Sequence, residues 1–169
     1  MNYYLIGMPG SGKSTVGKEL AKSLSLSFVD LDSYIEEQEK CLIKDIFESK
    51  GEAYFRNLES KALESFKNKD NYVVSCGGGI ILDRNNKKLM NGFIIFLNPP
   101  LEDIAIRLQN DGGVRPLLKV KTPKELFEER KANYEYFMDF EIKETILSHV
   151  VKEIIRRSKE YGKKDSTSN

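Results

Sequence analysis

Strand-like and helix-like patterns alternate along this chain. Residues 3–6 form a short apolar and aromatic run that stops at Gly7, and from Ser14 onward apolar positions recur at helical spacing. Residues 93–97 are continuously apolar, which is typical of a strand covered on both faces. Strands are predicted at 3–6, 27–31, 72–75, 93–97 and 140–142. Because helical patterns separate them, we predict a three-layer α/β/α fold around a central five-stranded parallel sheet.

Helix start and stop signals divide the rest of the chain. Ser33 and Glu36 have the spacing of a capping box that would begin one helix, and Gly51 is placed to end the next. Thr122 and Glu125 form a second capping-box pattern. These signals predict helices before the third strand and after the fourth strand in the sequence.

Two segments lack such a pattern. Residues 109–114 are polar and contain glycine, which predicts a mobile loop. The tail at 163–169 is polar, has no apolar anchor and is predicted to be disordered. Residues 1–162 are expected to form a single domain.

Composition narrows the classes of function. The chain has 169 residues, 40% of them apolar, which fits one domain with one core. Its 27 Lys and Arg against 26 Asp and Glu leave a net charge of +1, which argues against a nucleic acid or an anionic membrane as partner. No apolar run approaches the roughly 18 residues that span a bilayer. Cys41 and Cys76 lack zinc-site or disulfide spacing, so we expect a cytoplasmic protein.

The first loop carries the most specific motif. Gly7 to Ser14 satisfies the pattern G-x4-G-K-[ST] and lies between a predicted strand and a predicted helix. Successive backbone N–H groups and the helix N-terminus there favour phosphate, Lys13 can reach the β- and γ-phosphates, and Ser14 can bind Mg²⁺. The motif predicts nucleoside triphosphate binding, but many different reactions use this loop.

Two carboxylates follow the second strand. Asp30 and Asp32 should both arrive at the end of the sheet where ligands bind. One can hold Mg²⁺ directly or through water, and the other can orient an acceptor hydroxyl and take its proton. The alternative is that Asp32 caps the following helix, a role compatible with catalysis.

Arg56 and Glu59 stand three residues apart on a predicted helix. A surface ion pair of little energetic value is the ordinary explanation for this spacing. Alternatively, Glu59 orients Arg56 as one arm of an anion clamp, since a guanidinium can engage a carboxylate at two points.

Two further features point to a small anionic ligand. The triplet Gly77, Gly78 and Gly79 directly follows the third strand, where backbone N–H groups can approach a ligand closely. Arg115 lies in the predicted mobile loop, where it could close over a transferring phosphate. Arg130, taken singly, is predicted to be a solvated charge.

Together these motifs resemble the shikimate kinase family, small-molecule kinases with a P-loop and a nucleoside monophosphate kinase-like fold. The resemblance rests on the P-loop, the Asp30–Asp32 pair, the segment around Arg56, the glycine triplet and the Arg115–Pro116–Leu117–Leu118 stretch, in that order and spacing. It covers roughly residues 3 to 155. It implies Mg²⁺-dependent transfer of the γ-phosphoryl group of ATP to the 3-hydroxyl of shikimate.

The resemblance also implies roles for individual residues. The catalytic residues would be Lys13, Asp32 and Arg115, and the metal would be served by Ser14 and Asp30. Nucleotide contacts would come from Gly10, Ser11, Gly12, Lys13, Ser14, Thr15, Arg107 and Arg115. Acceptor contacts would come from Asp32, Arg56, Gly77, Gly78, Gly79 and Arg130. An acceptor-binding lobe is expected at about 33–61 and a lid at about 109–118, in a monomer whose partners are ATP and shikimate.

The chain departs from the family pattern near the adenine base. Many relatives have an arginine seven positions before the lid arginine, whereas position 108 here is Leu and Arg107 is the nearest candidate. After the last strand, Lys143, Glu144 and Thr145 stand where relatives often have an Asp-Thr stretch.

Two other functions fit the same motifs. One is a kinase for another small hydroxy acid such as gluconate, or for a nucleoside monophosphate. The other is a binding module that uses the P-loop as a switch.

Overall fold

The computed structural model describes residues 1–110 and 121–166. Its five strands are β1 (Asn2–Gly7), β2 (Ser27–Asp30), β3 (Tyr72–Ser75), β4 (Gly92–Leu97) and β5 (Phe140–Ile142). They form one sheet in the order β2-β3-β1-β4-β5, and every neighbouring pair is parallel. This confirms the predicted five-stranded parallel sheet.

The helices connect the strands in the expected alternation. They are α1 (Lys13–Leu24), α2 (Leu31–Glu39), α3 (Ile43–Lys50), α4 (Glu52–Lys67), α5 (Leu101–Asn110), α6 (Pro123–Phe137) and α7 (Leu147–Ser166). Two short 3-10 helices, Ile80–Leu82 and Arg84–Leu89, lie between β3 and β4. None of the helices in the described ranges is long and apolar enough to cross a membrane.

The sheet has a hydrophobic core on each face. Alternate residues of β1 point to opposite sides, so Tyr4 and Ile6 pack with α4 and α6, whereas Leu5 packs with α1 and α7. Burial on both faces explains why β4 is apolar at every position from Ile94 to Leu97. The molecule is therefore three-layered, as predicted.

Helix capping differs from the prediction at α2. The helix begins at Leu31, and the side chain of Asp30 caps it by accepting a hydrogen bond from the Ser33 N–H at 3.1 Å. The predicted capping box of Ser33 and Glu36 is therefore wrong, and so is the alternative in which Asp32 is the cap. Glu36 instead accepts a hydrogen bond from the Ile43 N–H at the start of α3.

Other boundaries follow the sequence signals more closely. The Thr122 capping box is formed, with Glu125 reaching back to the Thr122 N–H. Gly51 ends α3 with a positive φ of 84°, which favours glycine. Helix α5 continues to Asn110, so the start of the predicted loop is helical, and residues 111–118 of the predicted lid lie outside the described residues. Helix α7 extends to Ser166, into the segment predicted to be disordered, and residues 167–169 lie outside the described residues.

Candidate active site

A cleft of about 790 Å³ lies at the carboxyl edge of the sheet. Strands β1, β2 and β3 end there side by side, and the parallel register pairs Asp30 with Ser75. The cleft collects the described candidates of the sequence analysis apart from Ser11, namely Gly10, Gly12, Lys13, Ser14, Thr15, Asp30, Asp32, Arg56, Gly77, Gly78, Gly79, Arg107 and Arg130. Arg115 lies outside the described residues.

The P-loop folds tightly between β1 and α1. Gly10 and Gly12 have φ of 79° and 92°, values that favour glycine. The Lys13 ammonium donates hydrogen bonds to the carbonyls of Gly7 and Met8, each at 2.9 Å. The lysine is thereby held across the mouth of its own loop, where a phosphate would be bound.

Three oxygen-bearing side chains meet beside the P-loop. The Ser14 hydroxyl donates to Asp30 Oδ2 at 2.5 Å and lies 3.4 Å from the Ser75 hydroxyl. Oxygen ligands of this kind suit Mg²⁺, which keeps several waters and takes its other ligands from phosphate. Residues 1–110 and 121–166 contain no cluster of His, Cys, Asp and Glu that could hold a metal alone, so Ser14 and Asp30 fit Mg²⁺ only together with a nucleotide.

Asp32 and Glu59 approach the glycine triplet from two different helices. A Cβ placed on Gly77 would lie 2.7 Å from Asp32 Oδ1 and 2.9 Å from Glu59 Oε2. Any side chain at this position would displace one carboxylate. The glycine therefore allows the backbone after β3 to lie directly against both acids.

Arg56 forms ion pairs within α4 and contacts the triplet. Its Nη1 lies 2.6 Å from Glu59 Oε1, and its Nη2 lies 3.2 Å from Glu52 Oε1. A Cβ on Gly79 would overlap the guanidinium. Because the Glu59 side chain is only 2% exposed, the surface ion pair considered from the sequence is wrong.

Burial changes the acid–base properties of this pair. Desolvation raises the pKa of Glu59 to about 7, although the charge and hydrogen bond of Arg56 act in the opposite direction. Among the described residues, Arg56 Nε and Glu59 Oε2 are buried without a hydrogen-bond partner. Unsatisfied polar atoms lining a cleft are suited to the hydroxyl and carboxylate groups of a ligand.

Arg130 is also part of the site. It lies on α6, is only 3% exposed and donates a hydrogen bond from Nη1 to the Gly78 carbonyl at 2.8 Å. The interpretation of Arg130 as a solvated charge is therefore wrong. One turn further along α6, Tyr134 stacks on Phe96 with ring centroids 4.4 Å apart, which anchors the helix to the sheet.

A second cavity of about 250 Å³ adjoins the other side of the P-loop. Arg107 lines both cavities and donates from Nη1 to the Gly10 carbonyl at 3.2 Å. The remaining walls come from Ser11, Gly12, Thr15, Val16, Leu97, Pro99, Glu144, Thr145, Leu147 and Val150. This space has the mixed apolar and polar lining that a nucleobase requires.

Sequence reasoning missed two residues at the floor of the cleft. Ser75 ends β3, Cys76 follows it, and both line the cleft between the P-loop and the glycine triplet. Cys76 is 1% exposed, and burial raises the pKa of its thiol. The signal that could have found Ser75 is a polar residue at the end of an apolar central strand.

Comparisons with known proteins agree on one family. A family model described as shikimate kinase matches residues 9–159. The chain belongs to the shikimate kinase family. A shikimate kinase from Sulfurihydrogenibium sp. (strain YO3AOP1) is 47% identical over 165 residues, covering 92% of this chain and 99% of that protein. A shikimate kinase from Persephonella marina is 52% identical over 137 residues, covering 79% and 83%.

Solved structures of family members have the same fold. A shikimate kinase from Acinetobacter baumannii in complex with shikimate has a TM-score of 0.85 at 31% identity, covering 92% of this chain and 90% of that one. The shikimate kinase of Aquifex aeolicus has a TM-score of 0.81 at 39% identity, covering 96% and 98%. A deoxyadenosine kinase from M. mycoides, at 20% identity and a TM-score of 0.58, shares the fold alone.

Proposed function

We propose that this member of the shikimate kinase family transfers the γ-phosphoryl group of ATP to the 3-hydroxyl of shikimate, giving 3-phosphoshikimate and ADP. The observation that carries the proposal is the composition of one continuous cleft. A P-loop lies at one end, two arginines lie at the other, and Asp32 lines the space that they share.

ATP would occupy the P-loop end of the cleft. Backbone N–H groups from Gly10 to Thr15 would surround the phosphates, with Lys13 shifting from its carbonyl partners to the β- and γ-phosphates. The adenine would enter the smaller cavity between Arg107 and the turn that contains Glu144 and Thr145.

Ser14 and Asp30 would hold Mg²⁺ beside the phosphates. The ion neutralises charge on the β- and γ-phosphate oxygens when it is bound. Asp30 is well placed for this role because capping α2 fixes its carboxylate.

The acceptor would bind between α4, α6 and the glycine triplet. Arg56 and Arg130 would engage the carboxylate of shikimate, and Gly77, Gly78 and Gly79 would admit the ring close to the backbone. Asp32 would orient the 3-hydroxyl and take its proton as the oxygen attacks the γ-phosphorus in line. Catalysis would rest chiefly on positioning and on neutralisation of charge.

The proposed enzyme also has a lid and an acceptor-binding lobe. Residues 109–118 would close over the nucleotide, and Arg115 would offset charge on the transferring group while water is excluded. The region at about 33–61 would serve as the acceptor-binding lobe. We propose that the enzyme works as a cytoplasmic monomer, without nucleic-acid or membrane partners.

The test is release of ADP from ATP and Mg²⁺ with shikimate, gluconate or a nucleoside monophosphate as acceptor. We expect stimulation by shikimate alone. Failure of shikimate to stimulate ADP release would refute the proposal, and nucleotide-dependent binding of a protein without turnover would favour the switch module.

Replacement of Asp32 tests the assignment of the base. Asp32→Ala should lower the turnover rate by about 1,000-fold while leaving most of the nucleotide affinity. Asp103→Ala is the matched control, since Asp103 also lies in the first turn of a helix, is similarly half-buried and lies outside the cleft lining. Full turnover by Asp32→Ala would remove this residue from the mechanism.

A further inference from the structure

A buried asparagine connects two segments that form the acceptor end of the cleft. Asn86 lies in the 3-10 helix Arg84–Leu89, is 3% exposed and is not part of the cleft lining. Its Nδ2 donates to the Ile80 carbonyl at 2.8 Å, and its Oδ1 accepts from the Ser60 hydroxyl at 2.7 Å. One amide group therefore joins α4 to the chain that follows the glycine triplet.

Both attachment points lie next to site residues. Ser60 follows Glu59, and Ile80 follows Gly79. The guanidinium of Arg56 is so close to Gly79 that a Cβ there would overlap it. Because the contact between Arg56 and Gly79 is closely packed, a small displacement of α4 relative to the triplet would change the position of the Arg56 guanidinium toward a ligand.

The hydrogen of the Ser60 hydroxyl can go to either of two acceptors. Asn86 Oδ1 is 2.7 Å away, whereas the Arg56 carbonyl in the same helix is 3.3 Å away. A hydroxyl has one hydrogen to donate, so the shorter bond between segments is the stronger one. Without Asn86, Ser60 would turn back to its own helix and the Ile80 carbonyl would lose this donor.

The same 3-10 helix also touches the element that carries Arg130. Arg84 Nε donates to Asn133 Oδ1 at 3.1 Å, and the Lys87 ammonium donates to the Tyr136 carbonyl at 2.7 Å. Both cationic groups also lie over the Tyr136 ring, 4.5 Å and 4.8 Å from its centre. The 3-10 helix thus contacts α4, which carries Arg56, and α6, which carries Arg130. It also contacts Ile80, which directly follows the glycine triplet.

We propose that Asn86 is a positioning residue for the acceptor. It holds Arg56 and Gly79 at the separation that accepts the carboxylate of the substrate, and it acts only through Ser60 and Ile80. This inference rests on the proposed function. It predicts a selective effect on acceptor binding from a residue that does not touch the acceptor.

The test compares Asn86→Ala with Asn2→Ala. Asn2 is a matched control because it is fully buried and also joins two segments, donating to the Lys69 carbonyl at 2.6 Å and accepting from the Tyr72 N–H at 3.0 Å. It lies at the opposite, amino end of the sheet. Both variants should lower the melting temperature. Asn86→Ala alone should raise KM for shikimate, by about tenfold, while KM for ATP changes by less than about twofold.

Variants of Ser60 examine the same bridge while the Ile80 carbonyl keeps its donor, the Asn86 Nδ2. Ser60→Ala should raise KM for shikimate about threefold, and Ser60→Thr, which keeps the hydroxyl, should restore it. Asn86→Asp keeps the acceptor for Ser60 but places an oxygen against the Ile80 carbonyl. It should therefore resemble Asn86→Ala.

The outcomes separate this inference from the function on which it rests. A wild-type protein that does not phosphorylate shikimate refutes the proposed function. If the wild type is active and Asn86→Ala changes both KM values to the same extent as Asn2→Ala, the positioning role is overturned. If Asn86→Ala does not fold, an unchanged KM for shikimate in Ser60→Ala overturns it.

Discussion

Two arginines of this chain each have one glutamate three residues away and another four residues away. Arg56 on α4 pairs with Glu52 and Glu59, and Arg156 on α7 pairs with Glu153 and Glu160. In both triads the glutamates lie three or four residues away, a spacing that usually marks a solvated helix face. The two triads are nevertheless opposite in their surroundings.

Burial of one glutamate makes the difference. The side chain of Glu59 is 2% exposed, whereas those of Glu153 and Glu160 are 32% and 56% exposed. Burial raises the pKa of Glu59 to about 7, whereas the hydrogen bond from Arg156 lowers the pKa of Glu153. The chemical character of an ion-pair motif therefore depends on what packs against it, and here the glycine triplet packs against the first triad.

The largest expected difference is in the effect of pH on stability. Glu59 has a higher pKa in the folded state than in the unfolded chain, where the ordinary pKa of a glutamate is 4.5. Protonated Glu59 makes its full contribution to the free energy of unfolding below pH 4.5. As the pH rises to about 7, the free energy of unfolding falls by about 3 kcal/mol. Urea unfolding across this range should show the loss in wild type but not in Glu59→Gln. Identical pH profiles would mean that Glu59 ionises normally.

Glu153 should show the opposite sign. Because its folded-state pKa is lowered, its stabilisation is present above the ordinary value of 4.5 and is lost as pH falls below it. Glu153→Gln lacks this stabilisation at every pH, so in the same unfolding series it should match wild type at acid pH and be less stable than wild type above pH 4.5. A difference that is largest at acid pH and vanishes toward neutral pH would contradict this assignment.

The second largest difference concerns the acceptor. Arg56→Lys keeps the charge but removes the planar fork, so KM for shikimate should rise about 50-fold while KM for ATP stays within about twofold. Arg156→Lys is the matched control and should leave both constants unchanged. An equal response of the two variants in steady-state assays would show that Arg56 is also only a surface charge.

A smaller effect is expected from adding one methyl group beside each triad. Gly79→Ala would push the Arg56 guanidinium aside, so KM for shikimate should rise about tenfold with little change in melting temperature. Gly162→Ala on α7 has no heavy atom within 4 Å of the new Cβ. It should leave catalysis unchanged and stabilise the helix by about 0.5–1 kcal/mol. Unaltered acceptor binding in Gly79→Ala would argue against close packing of Arg56 on the triplet.

The smallest effect is expected from breaking the exposed triad. Arg156→Gln should leave KM for both substrates unchanged and lower the melting temperature only slightly, because water and salt screen exposed pairs. A measurable loss of melting temperature that persists at high salt would show that the α7 triad contributes more than its exposure suggests.

Periodicity and local motifs predicted much of the fold. All five strands, the parallel sheet and the P-loop followed from alternating patterns and one strong motif, because these depend on neighbours in sequence. The cap of α2 was misassigned because Ser33 and Glu36 have the right spacing, whereas Asp30 lies one residue before the helix and reaches Ser33 first. The choice of the capping residue therefore depends on locating the end of β2 to within one residue.

The site was predicted less evenly. Arg130 looks like an ordinary charge because its immediate neighbours Glu128, Glu129 and Lys131 are charged, whereas its hydrogen-bond partner Gly78 lies 52 positions away. Similarly, nothing near Asn86 in sequence distinguishes it from a loop residue, because its partners are brought to it by the tertiary fold. Contacts of this length set the chemistry of the site and are not contained in local patterns.

The buried thiol of Cys76 has a consequence for inhibitor chemistry. A cysteine in the lining of an active cleft invites design of an electrophilic, covalent ligand. Only the thiolate attacks such groups, and burial that raises the pKa of Cys76 suppresses that form. Half-buried Cys41, outside the cleft lining, should be alkylated first, with turnover retained. Ligands for this cleft are therefore better built on reversible contacts with the arginines and the P-loop than on a covalent bond to its cysteine.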